Sequence, residues 1–263
     1  MLKVEDLSIE FYDNTIAETV VFDFNMEVKE GDIIGLVGES GSGKTMTALA
    51  IAGLLRRHGT KKKGHIYFED VDLLTCTRSE LRKYQGKDIS MVFQEPMTSL
   101  NPVKKIGWQV EESLRLHTKL SKEERYEKAI RILRDVDLEN PEEIYRKYPH
   151  QLSGGMRQRV MIAAAMICEP KLLIADEPTT ALDVTIQAQI VKLLIRFNKE
   201  NHTAILFISH DLSLVKQLCH HVIVMQGGNI VEQGEAKELF KHPKEEYTKQ
   251  LIAAIPKCEK PEK

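Results

Sequence analysis

The segment that most constrains this chain covers residues 38–45 and reads GESGSGKT. It follows a short apolar run at residues 33–37 and precedes a helix-like pattern at residues 46–52. A strand, a glycine-rich loop and a helix in this order, with the spacing G-x-x-x-x-G-K-[ST], are typical of a phosphate-binding loop. The sequence therefore predicts that the chain binds a nucleoside triphosphate.

The residue types in the loop suit a phosphate ligand. Glycine accepts backbone conformations that a Cβ would resist, so successive N–H groups can face one anion. The helix that follows points its positive end at the same place. Lys44 would supply a cation to the β- and γ-phosphates, and Thr45 a hydroxyl to Mg²⁺. The predicted nucleotide contacts are Gly38, Glu39, Ser40, Gly41, Ser42, Gly43, Lys44 and Thr45.

Composition narrows the possible partners. Lys and Arg number 37 against 39 Asp and Glu, so no basic field indicates a nucleic-acid partner. The lysine run at residues 61–63 is short and precedes Gly64, which favours a solvated loop. No apolar run reaches the ~18 residues that span a bilayer, so a membrane role requires a partner. The cysteines are scattered, as is typical of reduced cytosolic thiols; they are Cys76, Cys168, Cys219 and Cys258.

The order of patterns predicts an α/β fold. Residues 2–11 and 20–29 alternate apolar and polar side chains on either side of a predicted turn at Asp13 and Asn14, which indicates an antiparallel hairpin. Between about 97 and 150 the pattern becomes helical, with a long charged stretch of helical spacing at residues 121–136, as in a helical insertion into an α/β core. We predict one domain over residues 1–255, with an antiparallel β subdomain, an α/β core at about 1–94 and 168–234, a helical subdomain at about 95–167, and a short C-terminal helical tail at 235–263.

Two acids follow the apolar run at residues 172–175. Such a pair is often only the N-cap of the next helix. Behind a phosphate loop, however, Asp176 is placed to hold Mg²⁺ through water. Glu177, one residue later, can orient and deprotonate an attacking water. We therefore favour the catalytic interpretation of this pair.

Other positions gain meaning from their neighbours. His210 follows a predicted strand at residues 203–209, where it could cap or pack, or sense the γ-phosphate at the same sheet edge. Ser153 is a plausible N-cap, and Gly154 and Gly155 leave the first N–H groups of the next helix uncovered. Phe11 and Tyr12 end the first predicted strand, where an aromatic ring could stack on a purine, although spacing alone favours ordinary packing.

Taken in order, the phosphate loop, Gln94, residues 152–156, the acidic pair and His210 resemble the ATP-binding cassette (ABC) ATPases over nearly the whole chain. The resemblance implies that Gln94 contacts Mg²⁺ and the attacking water. It makes residues 152–156 the family signature and residues 181–183 a loop that meets the opposite subunit. It also favours Phe11, with Tyr12 as the alternative, as the aromatic that stacks on adenine.

By this resemblance ATP and Mg²⁺ are the ligands, and each residue receives a role. The implied catalytic residues are Glu177, His210 and Gln94; the Mg²⁺ ligands are Thr45, Gln94 and Asp176; and Ser153, Gly154 and Gly155 contact the ATP of a facing subunit.

Residues 93–102, 148–159 and 242–251 are similar to the peptide/nickel importer branch of that family. The resemblance implies that the chain drives the uptake of oligopeptides, dipeptides or nickel chelates. It also implies that the chain lies at the cytoplasmic face of a bacterial or archaeal cell membrane. The implied partners are a second, homologous ATPase subunit in a heterodimer, two membrane permeases and, indirectly, an extracellular substrate-binding protein. The alternative is a non-transport ABC ATPase of a phosphonate-degradation complex.

This chain departs from the branch at two places. Glu95 stands where an Asp is common. The tail has only Cys258, whereas many peptide-importing members carry a cysteine cluster there. Because one thiolate cannot supply the four ligands that an iron–sulfur cluster usually takes, we expect no such cluster. The short tail is more similar to the nickel importers.

Overall fold

Two β-sheets and the helices around them make up the fold in the computed structural model, which describes residues 1–13, 16–55, 59–95, 99–180 and 182–255. The predicted turn at Asn14, the first residue of the predicted 181–183 loop and Cys258 lie outside these residues. The strands are β1 (Leu2–Asp13), β2 (Ile16–Val28), β3 (Ile33–Val37), β4 (Thr60–Phe68), β5 (Val71–Asp72), β6 (Ile89–Val92), β7 (Leu172–Asp176), β8 (Ala204–Ile208), β9 (His221–Gln226) and β10 (Asn229–Glu235).

The first sheet is antiparallel and has the strand order β2-β1-β4-β5. Its β1–β2 pair confirms the predicted hairpin. The prediction of a solvated loop at residues 61–63 is wrong, because these lysines lie in β4 and pair with β1. The cross-strand partner explains the difference: Lys63 Nζ lies 2.6 Å from Glu10 Oε1. A lysine run can occupy a strand when acids on the neighbouring strand offset its charge.

The second sheet has the order β10-β9-β3-β8-β7-β6, and all its neighbours are parallel except the antiparallel β9–β10 pair. Its central strands are buried on both faces. In β7, for example, Leu172 and Ile174 enter one hydrophobic cluster and Leu173 and Ala175 the other. Strands covered on both sides are expected to be continuously apolar, as the sequence is here. The predicted α/β class is confirmed.

Helices cover this sheet and fill the long connection between β6 and β7. Within the described residues five of them, α3 to α7, lie in that connection, and the predicted helix at 121–136 begins with a capping box of Ser121 and Glu124. The helices are α1 (Lys44–Ile51), α2 (Arg78–Tyr84), α3 (Ile106–Val110), α4 (Glu112–His117), α5 (Lys122–Asp135), α6 (Pro141–Arg146), α7 (Gly154–Met166), α8 (Val184–Asn201), α9 (Leu212–Leu218), α10 (Ala236–Lys241) and α11 (Glu246–Ala253).

The parallel strands determine where the functional residues meet. Strands β3, β6, β7 and β8 run in the same direction, so their carboxyl ends lie at one edge of the sheet. The phosphate loop, Gln94, Glu177 and His210 each follow one of these ends. Ligands of open α/β sheets bind at this edge. No helix within the described residues is both long and apolar enough to cross a membrane.

Candidate nucleotide-binding site

The phosphate loop lies close to two neighbouring strands, which explains two of its glycines. A Cβ on Gly38, where φ is +148°, would lie 2.1 Å from the carbonyl oxygen of Met225 in β9. A Cβ on Gly43, where φ is +96°, would lie 2.8 Å from the carbonyl oxygen of Val20 in β2. Both positions therefore require glycine for its backbone conformation and for its small size. The loop is held between the two sheets.

Lys44 begins α1 and is buried inside the loop. Its Nζ donates hydrogen bonds to the carbonyl oxygens of Gly38 (2.9 Å) and Glu39 (2.7 Å) and to Ser42 Oγ (3.2 Å). Burial lowers the pKa of Lys44, while the carboxylates of Glu177 and Asp176 act in the opposite direction. The loop thus contains a desolvated cation at the place where phosphate would bind.

Thr45 and Asp176 form an oxygen pair beside the loop. Thr45 Oγ1 donates a hydrogen bond to Asp176 Oδ1 at 3.3 Å, and the aspartate is only 3% exposed. Burial raises the pKa of Asp176, Glu177 raises it further, and the Thr45 hydrogen bond and Lys44 lower it. A hydroxyl and a carboxylate fit Mg²⁺, which prefers oxygen ligands and keeps several waters when it binds phosphate.

Glu177 is the centre of a polar cluster. Its Oε2 accepts hydrogen bonds from Gln94 Nε2 at 3.0 Å and Thr180 Oγ1 at 2.8 Å, and His210 Nδ1 lies 3.3 Å away. The structure thus brings together the three side chains that the sequence analysis assigned to catalysis. The backbone of Glu177 has a φ of +46°, and its N–H donates to the Ile208 carbonyl oxygen at 2.9 Å. Non-glycine residues in this conformation are uncommon and are often found at functional sites.

The two aromatic candidates differ in their surroundings. Phe11 is partly buried and packs against the hydrophobic cluster beneath the antiparallel sheet. Tyr12 is exposed, and its hydroxyl donates to Glu10 Oε2 at 2.9 Å. Their strand pairs with β2, which passes the phosphate loop at Val20. Adenine stacking by either ring stays a prediction.

The helix that begins after Ser153 presents a second anion-binding surface. Ser153 Oγ accepts a hydrogen bond from the Met156 N–H at 3.4 Å, which is the predicted N-cap. Ser153 and Gly154 are exposed, and a Cβ on Gly154 would have no atom within 4 Å. On the inner side, Gly155 faces Ile186 of α8. The first N–H groups of α7 are therefore open to a ligand from outside the chain.

Two contacts in the site were not predicted. Thr180 reaches Glu177 from three residues along the chain, and a threonine at that spacing carries no signal of its own. Tyr247 Oη in α11 accepts a hydrogen bond from the Glu39 N–H of the phosphate loop at 3.0 Å, across 208 residues of sequence. Tyr247 lies within the 242–251 motif, but only the fold shows what it touches.

Comparisons with known proteins agree with this geometry. Residues 21–180 match the family described as "ABC transporter". The chain is 46% identical over 256 residues to the dipeptide transport ATP-binding protein of Haemophilus influenzae, covering 97% of this chain and 78% of that protein. It is also 46% identical over 259 residues to the oligopeptide transport ATP-binding protein of Escherichia coli, covering 98% and 77%.

A solved structure resembles the fold closely. It is a dimeric ATP-binding cassette in a post-hydrolysis state with bound ADP and phosphate, and it is 27% identical to this chain with a TM-score of 0.81. The match covers 90% of this chain and 99% of that one.

Proposed function

This chain belongs to the ABC transporter ATPase family, and we propose that it is the ATP-hydrolysing subunit of an importer for dipeptides or oligopeptides. The observation that carries the hydrolytic part is the cluster of Gln94, Thr180 and His210 around one Glu177 carboxylate oxygen beside the phosphate loop. The substrate class rests on the names of relatives that share 46% of their aligned residues with it.

In this proposal the loop binds the triphosphate of ATP. Its N–H groups and the start of α1 surround the β- and γ-phosphates, and Lys44 turns toward phosphate oxygens in place of Glu39 and Ser42 while it keeps its hydrogen bond to the Gly38 carbonyl. Thr45 and Asp176 hold Mg²⁺ together with Gln94. The metal, when bound, neutralises charge that develops on the phosphate oxygens. Phe11 or Tyr12 stacks on the adenine.

Hydrolysis follows from the position of Glu177. A water attacks the γ-phosphorus, the bond from that phosphorus to the β,γ-bridging oxygen breaks, and the Glu177 carboxylate accepts the proton of the water. Gln94 and His210 contact the same carboxylate, so they can orient it and detect whether a γ-phosphate is present. The products are ADP and inorganic phosphate.

The exposed helix start at Ser153 supports a second ATPase subunit as partner. Ser153, Gly154 and Gly155 would contact the γ-phosphate bound by a facing, homologous subunit, in a heterodimer. Closing two subunits around ATP would exclude water from the transferred group and complete both sites. Each chain then supplies Glu177 or its counterpart to one site and a signature helix to the other.

A groove beside Gln94 supports attachment to membrane permeases. Phe93 and Leu54 are 39% and 43% exposed at its rim, and its far wall comes from the helical insertion at Gln109 and Met161. We place a cytoplasmic helix of a permease in this groove, because Phe93 directly precedes Gln94 and can pass a displacement to the site. The chain would thus lie at the cytoplasmic face of the cell membrane, with a substrate-binding protein acting from outside.

Uptake measurements test the function. The chain is co-expressed with its neighbouring permease and ATPase genes in cells that lack peptide uptake, and labelled dipeptide, oligopeptide and Ni²⁺ are supplied in parallel. We expect peptide accumulation that is lost with Glu177→Gln and retained with Glu200→Gln, an exposed control near the end of α8. Accumulation of Ni²⁺ without peptide would mean that the importer carries nickel instead of peptides. Co-purification with a soluble lyase and without a permease would mean that the chain belongs to a phosphonate-degradation complex instead of a transporter.

A further inference from the structure

The C-terminal helix α11 touches the phosphate loop at one point. Tyr247, in its first turn, accepts a hydrogen bond through its hydroxyl oxygen from the Glu39 N–H at 3.0 Å. The ring is partly buried against the main hydrophobic cluster. A residue near the end of the chain therefore contacts the loop at its second residue, on the side away from α1.

The bonded N–H belongs to the peptide unit that joins Gly38 to Glu39. The carbonyl oxygen of the same unit, that of Gly38, accepts a hydrogen bond from Lys44 Nζ at 2.9 Å. In a trans peptide the N–H and C=O point in opposite directions. Tyr247 and Lys44 therefore hold one peptide plane from opposite sides, and the tyrosine fixes the orientation of a carbonyl that positions the lysine.

This peptide unit needs such support because Gly38 precedes it. Glycine has access to more backbone conformations than other residues, so rotation of the plane is less costly than it would be if residue 38 carried a Cβ. A rotated plane would turn the Gly38 carbonyl away from Lys44. Gly38 is packed against Met225, but Glu39 is exposed, so the hydrogen bond from Tyr247 restrains the solvent side of the plane.

The start of α11 is itself fixed to the core. The Glu232 carboxylate in β10 accepts hydrogen bonds from the Lys244 N–H at 2.9 Å and the Glu245 N–H at 3.1 Å. Strand β10 pairs with β9, whose Met225 lies against Gly38. A continuous set of contacts thus runs from the central sheet through Glu232 and Tyr247 to the phosphate loop.

We propose that Tyr247 is a positioning residue for ATP: its hydroxyl keeps the Gly38–Glu39 peptide in the orientation that holds Lys44 inside the phosphate loop. The C-terminal segment thereby acts as a brace for the nucleotide site. The proposal rests on the assignment of the loop and Lys44 to ATP binding. It concerns affinity for the nucleotide and leaves the hydrolytic step to Glu177 and its neighbours.

The test is Tyr247→Phe, which removes the hydroxyl and retains the ring. Because a single hydrogen bond contributes about 0.5–1.5 kcal/mol, we expect the KM for ATP of the assembled ATPase to rise roughly 2- to 10-fold. The kcat should stay within about twofold, since the hydroxyl contacts no reacting group. The Kd of the full chain for ATP in the presence of EDTA, from calorimetric titration, should rise by the same factor as KM.

Matched variants distinguish a specific effect of Tyr247 on the phosphate loop from a general effect on folding. Tyr67→Phe removes a hydroxyl in β4, on the antiparallel sheet, and should leave KM unchanged. Glu232→Ala releases the start of α11 and should raise KM in the same direction as Tyr247→Phe. The double variant should be little worse than the stronger single variant, because both act on one contact.

The proposal for Tyr247 would be wrong if Tyr247→Phe left KM unchanged or lowered only kcat. It would also be wrong if the losses in the double variant were additive. Lys44→Ala distinguishes this failure from failure of the site: if that variant loses ATP binding while Tyr247→Phe does not, only the proposal for the tail is wrong. If Lys44→Ala binds ATP normally, the assignment of the loop is wrong as well.

Discussion

At the scale of single residues, the backbone conformation of Glu177 determines where its proposed catalytic carboxylate lies. Its φ of +46° is costly for a residue with a side chain, by roughly 1–3 kcal/mol. The hydrogen bond from its N–H to Ile208 and the donors around its carboxylate keep it there. The carboxylate is consequently aimed along the sheet edge toward the phosphate loop, where a base for water is needed.

Glu177→Gln tests this role. The amide keeps the size of the side chain but cannot accept a proton at neutral pH. General bases typically contribute ~10²–10⁴-fold, so we expect phosphate release from the site at Glu177, measured with a partner subunit that lacks its own catalytic carboxylate, to fall by about that factor while ATP binding survives. Mg-ATP should then hold the variant in a stable pair with its partner ATPase, visible by size-exclusion chromatography. Hydrolysis at the wild-type rate would reduce Glu177 to a structural residue.

The sequence was most informative about residues whose function depends on local spacing. Lys44 and Thr45 are recognisable because the loop, strand and helix that position them are contiguous. Asp176 and Glu177 gain meaning from the end of one strand. By contrast, Tyr247 reaches the loop only because α11 folds back across β10, and no spacing in the sequence encodes that contact.

At the scale of elements, the helical insertion is held together by a buried carboxylate. Glu111 is 4% exposed, accepts a hydrogen bond from the Tyr145 hydroxyl, and lies 3.6 Å from guanidinium nitrogens of both Arg115 and Arg125. Burial and the nearby Glu111 raise the pKa of Tyr145. This network joins the end of α3, α4, α5 and α6.

Glu111→Ala is expected to destabilise the insertion. It leaves two partly buried guanidinium groups and a tyrosine hydroxyl without their shared acceptor, which should cost about 2–4 kcal/mol of unfolding free energy. The neighbouring exposed Glu112→Ala should change it by less than about 0.5 kcal/mol. Urea unfolding followed by Trp108 fluorescence, in the same insertion, measures both. Equal effects of the two variants would contradict a structural role for the network.

Element prediction succeeded where one pattern governed a segment. The helix at 121–136 was identified from its spacing, and its capping box sets the first turn. It failed at residues 61–63, because the acid that offsets the lysines lies on β1, 53 residues away. A charge run therefore predicts exposure correctly but not whether the backbone is a loop or a strand.

At the scale of the whole molecule, the two surfaces that we propose for nucleotide contact lie on different parts of the chain. The phosphate loop with Asp176 and Glu177 lies at the carboxyl edge of the central sheet, and the exposed N-terminus of α7 lies on the helical insertion. In a head-to-tail pair, the second surface of each chain would meet the first surface of the other. Hydrolysis then becomes a property of the assembly, and ATP binding a property of each chain.

Ser153→Arg tests whether each chain binds ATP by itself while hydrolysis requires the assembled pair. A bulky cation at the exposed helix start should block the helix N-terminus from the phosphate of a facing subunit while leaving the phosphate loop of its own chain intact. We therefore expect the isolated variant to bind ATP with near wild-type Kd. Ser121→Arg is the matched control, because Ser121 is also an exposed N-cap in the insertion, and it should leave hydrolysis nearly unchanged.

The two sites of the assembled pair can be measured separately. When this chain carries Glu177→Gln, only the site that uses its signature helix remains active, and adding Ser153→Arg should lower phosphate release from that site at least 100-fold. When the partner subunit instead lacks its catalytic carboxylate, only the site at Glu177 remains, and Ser153→Arg should change its rate by less than about twofold, since distant and independent sites behave additively. Loss of ATP binding by the isolated Ser153→Arg chain, or a loss confined to the site at Glu177, would mean that Ser153 acts on the phosphate loop of its own chain. Equal losses at both sites would mean that the arginine prevents closure of the pair.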